Sequence, residues 1–251
     1  MVKTREVTAK SILNKSKIFD YCVNAYTGCE VGCLYCYART FIPRYTGHGE
    51  PWGTFVDIKI NAPQLLRRQL KRAKRGTVWI SSVCDAYQPL EAEYQLTRRC
   101  LEELLLVQFP VQVQSKSALM ARDLDLFRQF KEIEVGFTIT TDNERIARYF
   151  EPRASSAADR IAALKRIHEA GVRTFAFLGP LLPGDPEKLA AELDGVADHV
   201  LIDRMNYLGT FRNHYVKLDL AWAAEDKFFR EQGDRLAGAL SKKNLPFELL
   251  F

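Results

Sequence analysis

The stretch Tyr26-Thr27-Gly28-Cys29-Glu30-Val31-Gly32-Cys33-Leu34-Tyr35-Cys36-Tyr37 is the most specific feature of this chain. Its three cysteines follow a CxxxCxxC spacing, which brings three thiolates to one point from a single loop. Three thiolates can hold three irons of a [4Fe-4S] cube and leave the fourth iron open to a substrate or cofactor. The spacing therefore predicts a reactive cluster rather than a structural metal.

Other interpretations of the same cysteines stay open at this point. A structural zinc site needs a fourth ligand, and the nearest candidates, His48 and Cys22, are not at the usual finger spacing. A closed electron-transfer cluster would take its fourth ligand from Cys22, Cys84 or Cys100. Disulfides are disfavoured because the chain shows no secretory pattern, and the three more distant cysteines are expected to be buried small hydrophobes.

Length and composition indicate one enzyme-sized domain. The chain has 251 residues, of which nearly half are apolar, and a net charge of +5. One α/β barrel commonly has this size, and no apolar run approaches the roughly 18 residues that span a bilayer. We therefore expect a cytoplasmic protein without a membrane segment. The modest positive charge permits a polyanionic partner without requiring one.

Strand-like and helix-like segments alternate after a polar N-terminal arm. Runs of β-branched and aromatic residues predict six strands, at 20–26, 77–81, 111–115, 133–140, 173–178 and 199–203. Apolar periodicity and capping residues predict helices at 61–75, 94–107, 123–130, 143–149, 156–170 and 186–196, and a final one at 220–240. Asn61 is the expected cap of the first helix, and the segment 247–251 is expected to cap or extend the sheet.

The alternation predicts an α/β fold with a mostly parallel sheet and right-handed crossovers. Six βα units are too few to close an eight-stranded barrel, so we expect a partial (β/α)6 barrel with a lateral opening that admits a large substrate. No repeat or linker divides the chain, which predicts a single domain over 1–251 with its core at about 20–205 and a C-terminal addition at 206–251. The cysteine loop follows the first strand, where such folds place their ligand sites.

Short polar side chains end three of the other predicted strands. The second strand ends in Ser81-Ser82-Val83-Cys84-Asp85, the third in Ser115-Lys116-Ser117 and the fourth in Thr138-Ile139-Thr140-Thr141. Each of these residues alone is typical of a solvated loop. Because the carboxyl ends of parallel strands meet at one edge of the sheet, their convergence predicts a site for an amino-acid zwitterion, with Lys116 facing a carboxylate.

Six motifs in the same order resemble one known family. They are GCEVGCLYCYART, SSVCDAYQPLE, TRRCLEEL, SKSALMARDLDL, TTDNERIARYFEPRASSAADRIAAL and FLGPLLPG, which together span about residues 20–205. This combination resembles the spore photoproduct lyase-like branch of the radical S-adenosylmethionine (SAM) superfamily, also described as DNA repair photolyase-like. The resemblance implies a partial barrel that uses a [4Fe-4S] cluster and SAM. It also implies that the reduced cluster cleaves SAM to methionine and a 5′-deoxyadenosyl radical, which abstracts a hydrogen atom from the substrate.

The resemblance assigns roles residue by residue. Cys29, Cys33 and Cys36 match the cluster ligands, and Tyr35 matches the aromatic residue whose backbone lies near the adenine. The expected contacts of SAM are Ser81 and Ser82 with its amino group, Lys116 with its carboxylate, and Thr140 on the fourth strand. The turn 179–184 is expected beside the adenine. Arg153 is characteristic of the branch, but its role stays open between a functional one and a helix-flanking salt bridge.

The substrate is a separate question. In spore photoproduct lyase a cysteine after the second strand returns a hydrogen atom to the product, assisted by tyrosines near the cluster loop. Tyr37 and Cys84 are the candidates for these catalytic roles here, although alignment on Asp85 places the donor position closer to Ser82 than to Cys84. The chain therefore departs from the lyase at its defining step.

Basic and aromatic residues around the mouth leave nucleic acid, peptide and anionic metabolite open as substrates. The mouth residues are Arg39, Arg44, His48 and Lys59, with Tyr37, Tyr45 and Trp52 as stacking surfaces. A second basic cluster, Arg67, Arg68, Lys71, Arg72, Lys74 and Arg75, is expected to be a solvated helix face.

Two functions follow from these patterns. The first is a radical SAM enzyme that draws electrons from a carrier such as flavodoxin or ferredoxin and abstracts hydrogen, on a nucleic-acid base in the lyase-like case. The second is a non-catalytic iron-sulfur or zinc module, such as an electron carrier, with four protein ligands. Release of 5′-deoxyadenosine distinguishes the first from the second.

Overall fold

The computed structural model describes residues 2–251 and contains two sheets surrounded by helices. The strands are β1 (Lys3–Val7), β2 (Leu13–Lys15), β3 (Tyr21–Val23), β4 (Tyr26–Thr27), β5 (Phe55–Lys59), β6 (Val78–Ile80), β7 (Val111–Ser115), β8 (Ile133–Thr138), β9 (Arg173–Leu178), β10 (His199–Ile202) and β11 (Phe247–Leu249). The helices are α1 (Ile42–Thr46), α2 (Ala62–Leu70), α3 (Glu91–Tyr94), α4 (Leu96–Leu106), α5 (Leu124–Phe127), α6 (Glu144–Phe150), α7 (Ala157–Glu169), α8 (Pro186–Leu193), α9 (Leu208–Val216) and α10 (Asp226–Lys242). Short 3-10 turns occur at Tyr37–Thr40, Ala118–Asp123 and Ala221–Ala223.

The main sheet has eight strands in the order β11-β10-β9-β8-β7-β6-β3-β2. Every neighbouring pair is parallel except β2 and β3, which are antiparallel. The order from β3 to β10 follows the chain, as expected for consecutive βα units, and the sheet does not close on itself. The predicted α/β partial barrel with a mostly parallel sheet is therefore confirmed. The closing segment extends the sheet as β11, one of the two outcomes expected for it.

The predicted first strand, 20–26, is wrong in its length. The chain leaves the main sheet after Val23, and residues 26–27 form β4 in a second sheet of order β1-β5-β4. Asn24 causes the break, because its side chain accepts a hydrogen bond from the Val83 backbone N–H at 3.1 Å and donates one to Ser82 Oγ at 3.1 Å. The chain thus enters the cysteine loop from the second sheet rather than from the main one.

Several helix boundaries also differ from the prediction. The helix predicted at 94–107 is two helices, because Gln95 adopts a left-handed conformation with φ 50° between α3 and α4. The helix predicted at 61–75 ends at Leu70. Asn61 stands at its N-cap position, but its side chain bonds both backbone groups of Ala9 instead and so anchors the N-terminal arm.

The parallel sheet packs against its helices through one extended hydrophobic core. Val78, Val113, Phe137 and Ala176 are fully buried along adjacent strands, and the core continues to Leu240 in the last helix. None of the helices within residues 2–251 has the length and apolar character needed to cross a bilayer.

Gly136 in β8 packs closely against β9, so a substitution there measures how tightly the sheet is packed. A Cβ atom there would lie 2.1 Å from the Phe175 ring of β9, so Gly136→Ala should lower the free energy of unfolding by about 1–3 kcal/mol. Gly238→Ala is the control, because Gly238 lies exposed in α10 with open space around it and alanine should gain up to about 1 kcal/mol there. Urea unfolding followed by circular dichroism measures both, and equal stabilities of the two variants would contradict the packing.

Candidate functional site

A cavity of about 150 Å³ opens where the carboxyl ends of the parallel strands meet the cysteine loop. It collects residues from the loop, from the segment before β5 and from the ends of β6, β7 and β8. Its walls are Cys29, Val31, Cys33, Cys36, Tyr37, Ala38, Trp52, Trp79, Ser81, Ser82, Val83, Cys84, Asp85, Gln114, Ser115, Lys116 and Thr138. The predicted convergence of the loop with three strand ends is thus what the structure contains.

The cysteine loop approaches the neighbouring backbone too closely for side chains at two positions. Gly28 has φ 86°, and a Cβ there would lie 2.4 Å from the Phe55 carbonyl oxygen. Gly32 has φ 66°, and its Cβ would lie 3.2 Å from the Cα of Gly53. Glycine alone satisfies both the left-handed conformation and the close approach. The two glycines therefore set the path that turns the cysteines toward the cavity.

The three loop cysteines are free thiols with little access to solvent. Cys29 and Cys33 are buried and Cys36 is half-buried. Burial raises the pKa of all three thiols, and for Cys29 the nearby Asp85 carboxylate raises it further. Lys116 opposes the rise at Cys33. The Asp85 backbone N–H donates to Cys29 Sγ at 3.3 Å.

This donor set fits an iron-sulfur cluster. Three cysteines of one loop line the cavity, and thiolates are the ligands such clusters use. Within residues 2–251, no three His, Cys, Asp or Glu side chains form a group that could hold one metal ion. Burial disfavours free thiolates, so a cationic iron centre would supply the positive charge that stabilises them.

A buried ion pair between Glu151 and Arg160 holds the cysteine loop in place. Arg160 donates to Glu151 at 2.5 Å, and both side chains are almost completely buried. Glu151 also accepts hydrogen bonds from the hydroxyls of Tyr35 and Thr140. Arg160 further donates to the Thr138 carbonyl at 2.7 Å and thereby ties the pair to the end of β8. Tyr35, one residue before Cys36, is thus anchored to β8 and α7.

Neighbouring residues of the same segment hold the rest of the loop. The Phe150 carbonyl accepts from the Leu34 backbone N–H at 2.9 Å. The Arg153 guanidinium donates to the Glu30 carbonyl at 2.8 Å and to the Gly53 carbonyl at 2.5 Å. Arg153 is therefore a bridge between two backbone segments, an arrangement that neither of the alternatives considered from the sequence described.

The residues expected to contact SAM fall into two groups. Ser81, Ser82 and Lys116 line the cavity. Ser81 has φ 65°, and its buried hydroxyl has no hydrogen-bond partner within the described chain. Tyr35 and Thr140 are not among the lining residues, and their hydroxyls face Glu151 instead.

Lys116 lies beside the loop. Its ammonium nitrogen is 5.7 Å from the centre of the Tyr35 ring. Burial lowers the pKa of Lys116, but Cys33, Glu151 and Asp85 together shift it above its usual value. The cavity wall therefore carries one cation.

Both catalytic candidates, Tyr37 and Cys84, line the cavity. Burial raises the pKa of Cys84 to about 11 and that of Tyr37 to about 12. The Cys84 thiol donates to the Tyr26 carbonyl at 3.5 Å, and the Tyr37 hydroxyl donates to the Ser82 carbonyl. Both groups are therefore protonated at neutral pH.

Three aromatic rings run outward from the cavity along the start of α1. Tyr37 is 5.9 Å from Phe41, and Phe41 is 6.2 Å from Tyr45, measured between ring centres. We call these three rings the aromatic ladder. Tyr37 and Tyr45 are exposed, Tyr45 by 84%, and Phe41 between them is half-buried. Arg44 is exposed beside Tyr45. The ladder connects the cavity with the surface.

The other basic residues expected at the mouth, Arg39, His48 and Lys59, have hydrogen-bond partners within the protein. His48 bonds Glu50 and Asp57, Lys59 donates to the Asn24 carbonyl, and Arg39 donates to the Leu34 carbonyl at 2.5 Å. The second basic cluster begins in α2 and runs toward the start of β6, at the opposite edge of the sheet from the cavity. Arg75 there contacts the Gln108 carbonyl, just before β7.

Trp52, Trp79, Gln114 and Thr138 also line the cavity, although none was predicted as a contact of the cluster or SAM. Gln114 donates to Thr138 Oγ1 at 2.8 Å. Thr138 belongs to the polar end of the fourth predicted strand, which was expected at this edge of the sheet, and Gln114 directly precedes the polar end of the third. Trp52 was expected only as a stacking surface at the mouth, and its segment reaches the cysteine loop through tertiary contacts.

The chain is similar to known proteins in sequence and in fold. The sequence pattern of the family described as "Radical SAM superfamily" matches residues 23–194. The chain is 31% identical over 249 residues to "Uncharacterized protein MJ0683" of Methanocaldococcus jannaschii, covering 96% of this chain and 94% of the relative. It is 24% identical over 157 residues to "Radical SAM Nalpha-GlyT isomerase" of Pseudomonas phage M6, covering 62% of this chain and 32% of that protein.

The fold is also similar to a solved structure of a spore photoproduct lyase mutant with bound AdoMet and dinucleoside spore photoproduct. The TM-score is 0.69 at 17% identity, covering 98% of this chain and 81% of that chain. At this identity the similarity concerns the fold.

The Glu151–Arg160 pair should be the costliest interaction to break near the loop. Glu151→Gln leaves a buried guanidinium without its counter-charge and should lower the free energy of unfolding by about 3–5 kcal/mol. Adding Arg160→Met should recover part of the loss, because the unpaired charge is then removed. The control is Glu144→Gln, which breaks the exposed pair with Arg148 and should cost about 0.5 kcal/mol or less. Urea titration of the four proteins measures these values. A loss at Glu151 no larger than at Glu144 would show that the pair does not hold the loop.

Proposed function

The chain belongs to the radical SAM superfamily, whose enzymes use a [4Fe-4S] cluster and SAM, and on this premise we propose that Cys29, Cys33 and Cys36 hold the cluster and that the substrate is a nucleic-acid base. The observation that carries the proposal is the single cavity that joins the three loop sulfurs to the polar ends of β6 and β7 and to the aromatic ladder.

Cluster binding by the three cysteines is supported by their placement. They come from one loop, they line the same cavity, and each is free of a disulfide. Cys84 lines the cavity as well, but its thiol is bonded to the Tyr26 carbonyl. The loop thus offers three ligands and leaves Cys84 free for another role.

SAM binding is assigned to the opposite wall of the cavity. Lys116 supplies the cation that pairs with the carboxylate of an amino acid, and the unpartnered Ser81 hydroxyl accepts a hydrogen bond from its amino group. Ser82 lies next along the same strand end. Tyr35 and Thr140 act indirectly, because their bonds to Glu151 hold the loop and the end of β8 in place.

When bound, the cluster and SAM supply a carbon radical that abstracts a hydrogen atom. The chain's own part is to place a hydrogen donor beside the substrate and to keep solvent away. Cys84 is the donor in this proposal, since its thiol is protonated and lines the cavity. Tyr37 holds the Ser82 carbonyl through its hydroxyl, and its ring forms the end of the ladder that lines the cavity.

The aromatic ladder supports a nucleobase as substrate. Bases stack on aromatic faces without sequence preference, and each such contact contributes about 1–3 kcal/mol. Tyr45 and Arg44 at the exposed end would meet a strand first, with Arg44 close to its phosphates. A single-stranded or flipped nucleotide can then reach the cavity along Phe41 and Tyr37. Electrons for the cluster come, in this proposal, from a carrier such as flavodoxin or ferredoxin.

Replacing one loop cysteine tests the cluster assignment. After anaerobic reconstitution, Cys33→Ala should retain the fold but lose the iron and the visible absorption of the cluster. With SAM and dithionite it should then release at least 100-fold less 5′-deoxyadenosine than the unmodified protein. Cys100→Ala is the matched control, because Cys100 is fully buried in α4 away from the cavity and should keep its cluster. Retention of a full cluster and of SAM cleavage by Cys33→Ala would refute the assignment.

Substitution at the exposed end of the ladder tests the substrate class. Tyr45→Ala should weaken binding of a single-stranded DNA oligonucleotide by about 5- to 100-fold, whereas Tyr45→Phe should bind normally because it keeps the ring. Trp222→Ala is the control, since Trp222 is exposed but packs against Phe228 rather than on the ladder. Fluorescence anisotropy at fixed salt gives the affinities. Unchanged binding by Tyr45→Ala would argue for a different substrate.

A further inference from the structure

Trp52 is held against the cysteine loop by a separate part of the chain. It lies in the segment 51–53, between α1 and β5. The backbone of Gly53 touches that of Gly32, such that a Cβ on Gly53 would lie 3.0 Å from the Gly32 Cα. Arg153 donates to the Gly53 and Glu30 carbonyls and so locks this segment to the loop. The position of Trp52 relative to the cysteines is therefore determined by backbone contacts.

The indole ring packs between the loop and the second sheet. It contacts Phe55 edge-on, with 6.0 Å between ring centres. It also packs against the small apolar cluster that contains Cys29 and Cys33, to which Cys36 belongs at the margin. Trp52 lines the cavity together with these three cysteines.

The indole N–H of Trp52 is buried, and no hydrogen-bond acceptor lies within its reach in the part of the chain that the structure describes. An indole nitrogen can only donate. A buried donor without an acceptor costs about 1–3 kcal/mol, so such groups are rare unless a ligand completes them. Trp52 lines the same cavity as the three loop cysteines, so a cluster bound by them would bring further sulfur atoms into this cavity.

We propose that the Trp52 indole N–H donates a hydrogen bond to a sulfur atom of the cluster, either a cysteine thiolate or an inorganic sulfide, and thereby raises the reduction potential of the cluster. The inference rests on the proposed function, because it needs the cluster at Cys29, Cys33 and Cys36. Reduction adds negative charge to the sulfurs, so a hydrogen bond to them stabilises the reduced state more than the oxidised state. Trp52 thus tunes how readily the enzyme accepts the electron that starts its reaction.

Trp79 provides a control within the same cavity. It also lines the cavity, and its ring packs edge-on against Phe19 with 5.6 Å between ring centres. Its indole nitrogen is not among the buried polar atoms that lack a partner. A change at Trp79 alters the size of the cavity but removes no unpaired donor.

The experiment compares Trp52→Phe, Trp79→Phe and the unmodified protein, all reconstituted anaerobically to the same iron content. A fourth protein carries 3-benzothienylalanine at position 52, which keeps the bicyclic ring but replaces N–H with sulfur. Redox titration followed by electron paramagnetic resonance gives the cluster potential without turnover. At the midpoint potential of the unmodified protein, both changes at position 52 should lower the ratio of reduced to oxidised cluster three- to tenfold, and Trp79→Phe should leave it within error. A tenfold change is 59 mV for this one-electron couple.

The outcomes distinguish a failure of the Trp52 hydrogen bond from a failure of the cluster assignment. If the unmodified protein holds a full cluster and the benzothienyl protein has the same potential, the hydrogen bond does not exist although the cluster assignment stands. If the unmodified protein holds no cluster, both fail. Should Trp52→Phe lose its cluster through poor packing, the benzothienyl protein alone decides, because its ring fills the same space.

Discussion

The geometry of the site depends on the buried ion pair between Glu151 and Arg160. A charged pair in the protein interior is retained only when additional hydrogen bonds satisfy it, and here the Tyr35 and Thr140 hydroxyls and the Thr138 and Ser155 carbonyls do so. Through these bonds one carboxylate connects the cysteine loop, the end of β8 and the start of α7. The loop cysteines and the polar strand ends therefore keep one relative position, which a flexible loop alone would not provide.

Around this pair the second sheet acts as the other support of the loop. β4 leads into the loop, and β5, which pairs with it, supplies the Phe55 carbonyl against which Gly28 packs. The segment before β5 meets the loop at Gly32. The cysteines are thus enclosed by three distant parts of the sequence, and Tyr37 of the aromatic ladder forms part of the cavity wall. The loop cysteines Cys29 and Cys33 are accordingly buried.

Much of this architecture was readable from the chain. The six parallel strands were predictable because their short runs are rich in β-branched and aromatic residues and are separated by helical segments. The second sheet was not, and Asp57 shows why. A carboxylate in the middle of Phe55–Lys59 interrupts the apolar pattern, and it is tolerated there because Arg5 and His48 both bond it. Likewise the cysteine spacing predicts the cluster ligands, whereas the positions of Trp52 and Arg153 beside the loop depend on tertiary contacts, such as Gly53 with Gly32 and Arg153 with Glu30, which no local pattern encodes.

The same long-range contacts govern when the metal centre can be built. On the ribosome, residues 29–36 emerge early, but the residues that seat them, as far as Arg160, follow more than a hundred positions later. A nascent chain that ends shortly after the cysteines has three thiols but lacks the residues that form the cavity around them. Such thiols can be oxidised as well as bind iron. Loading of a cluster at these cysteines would therefore belong after synthesis of most of the chain, when the residues that form the walls of the cavity are present.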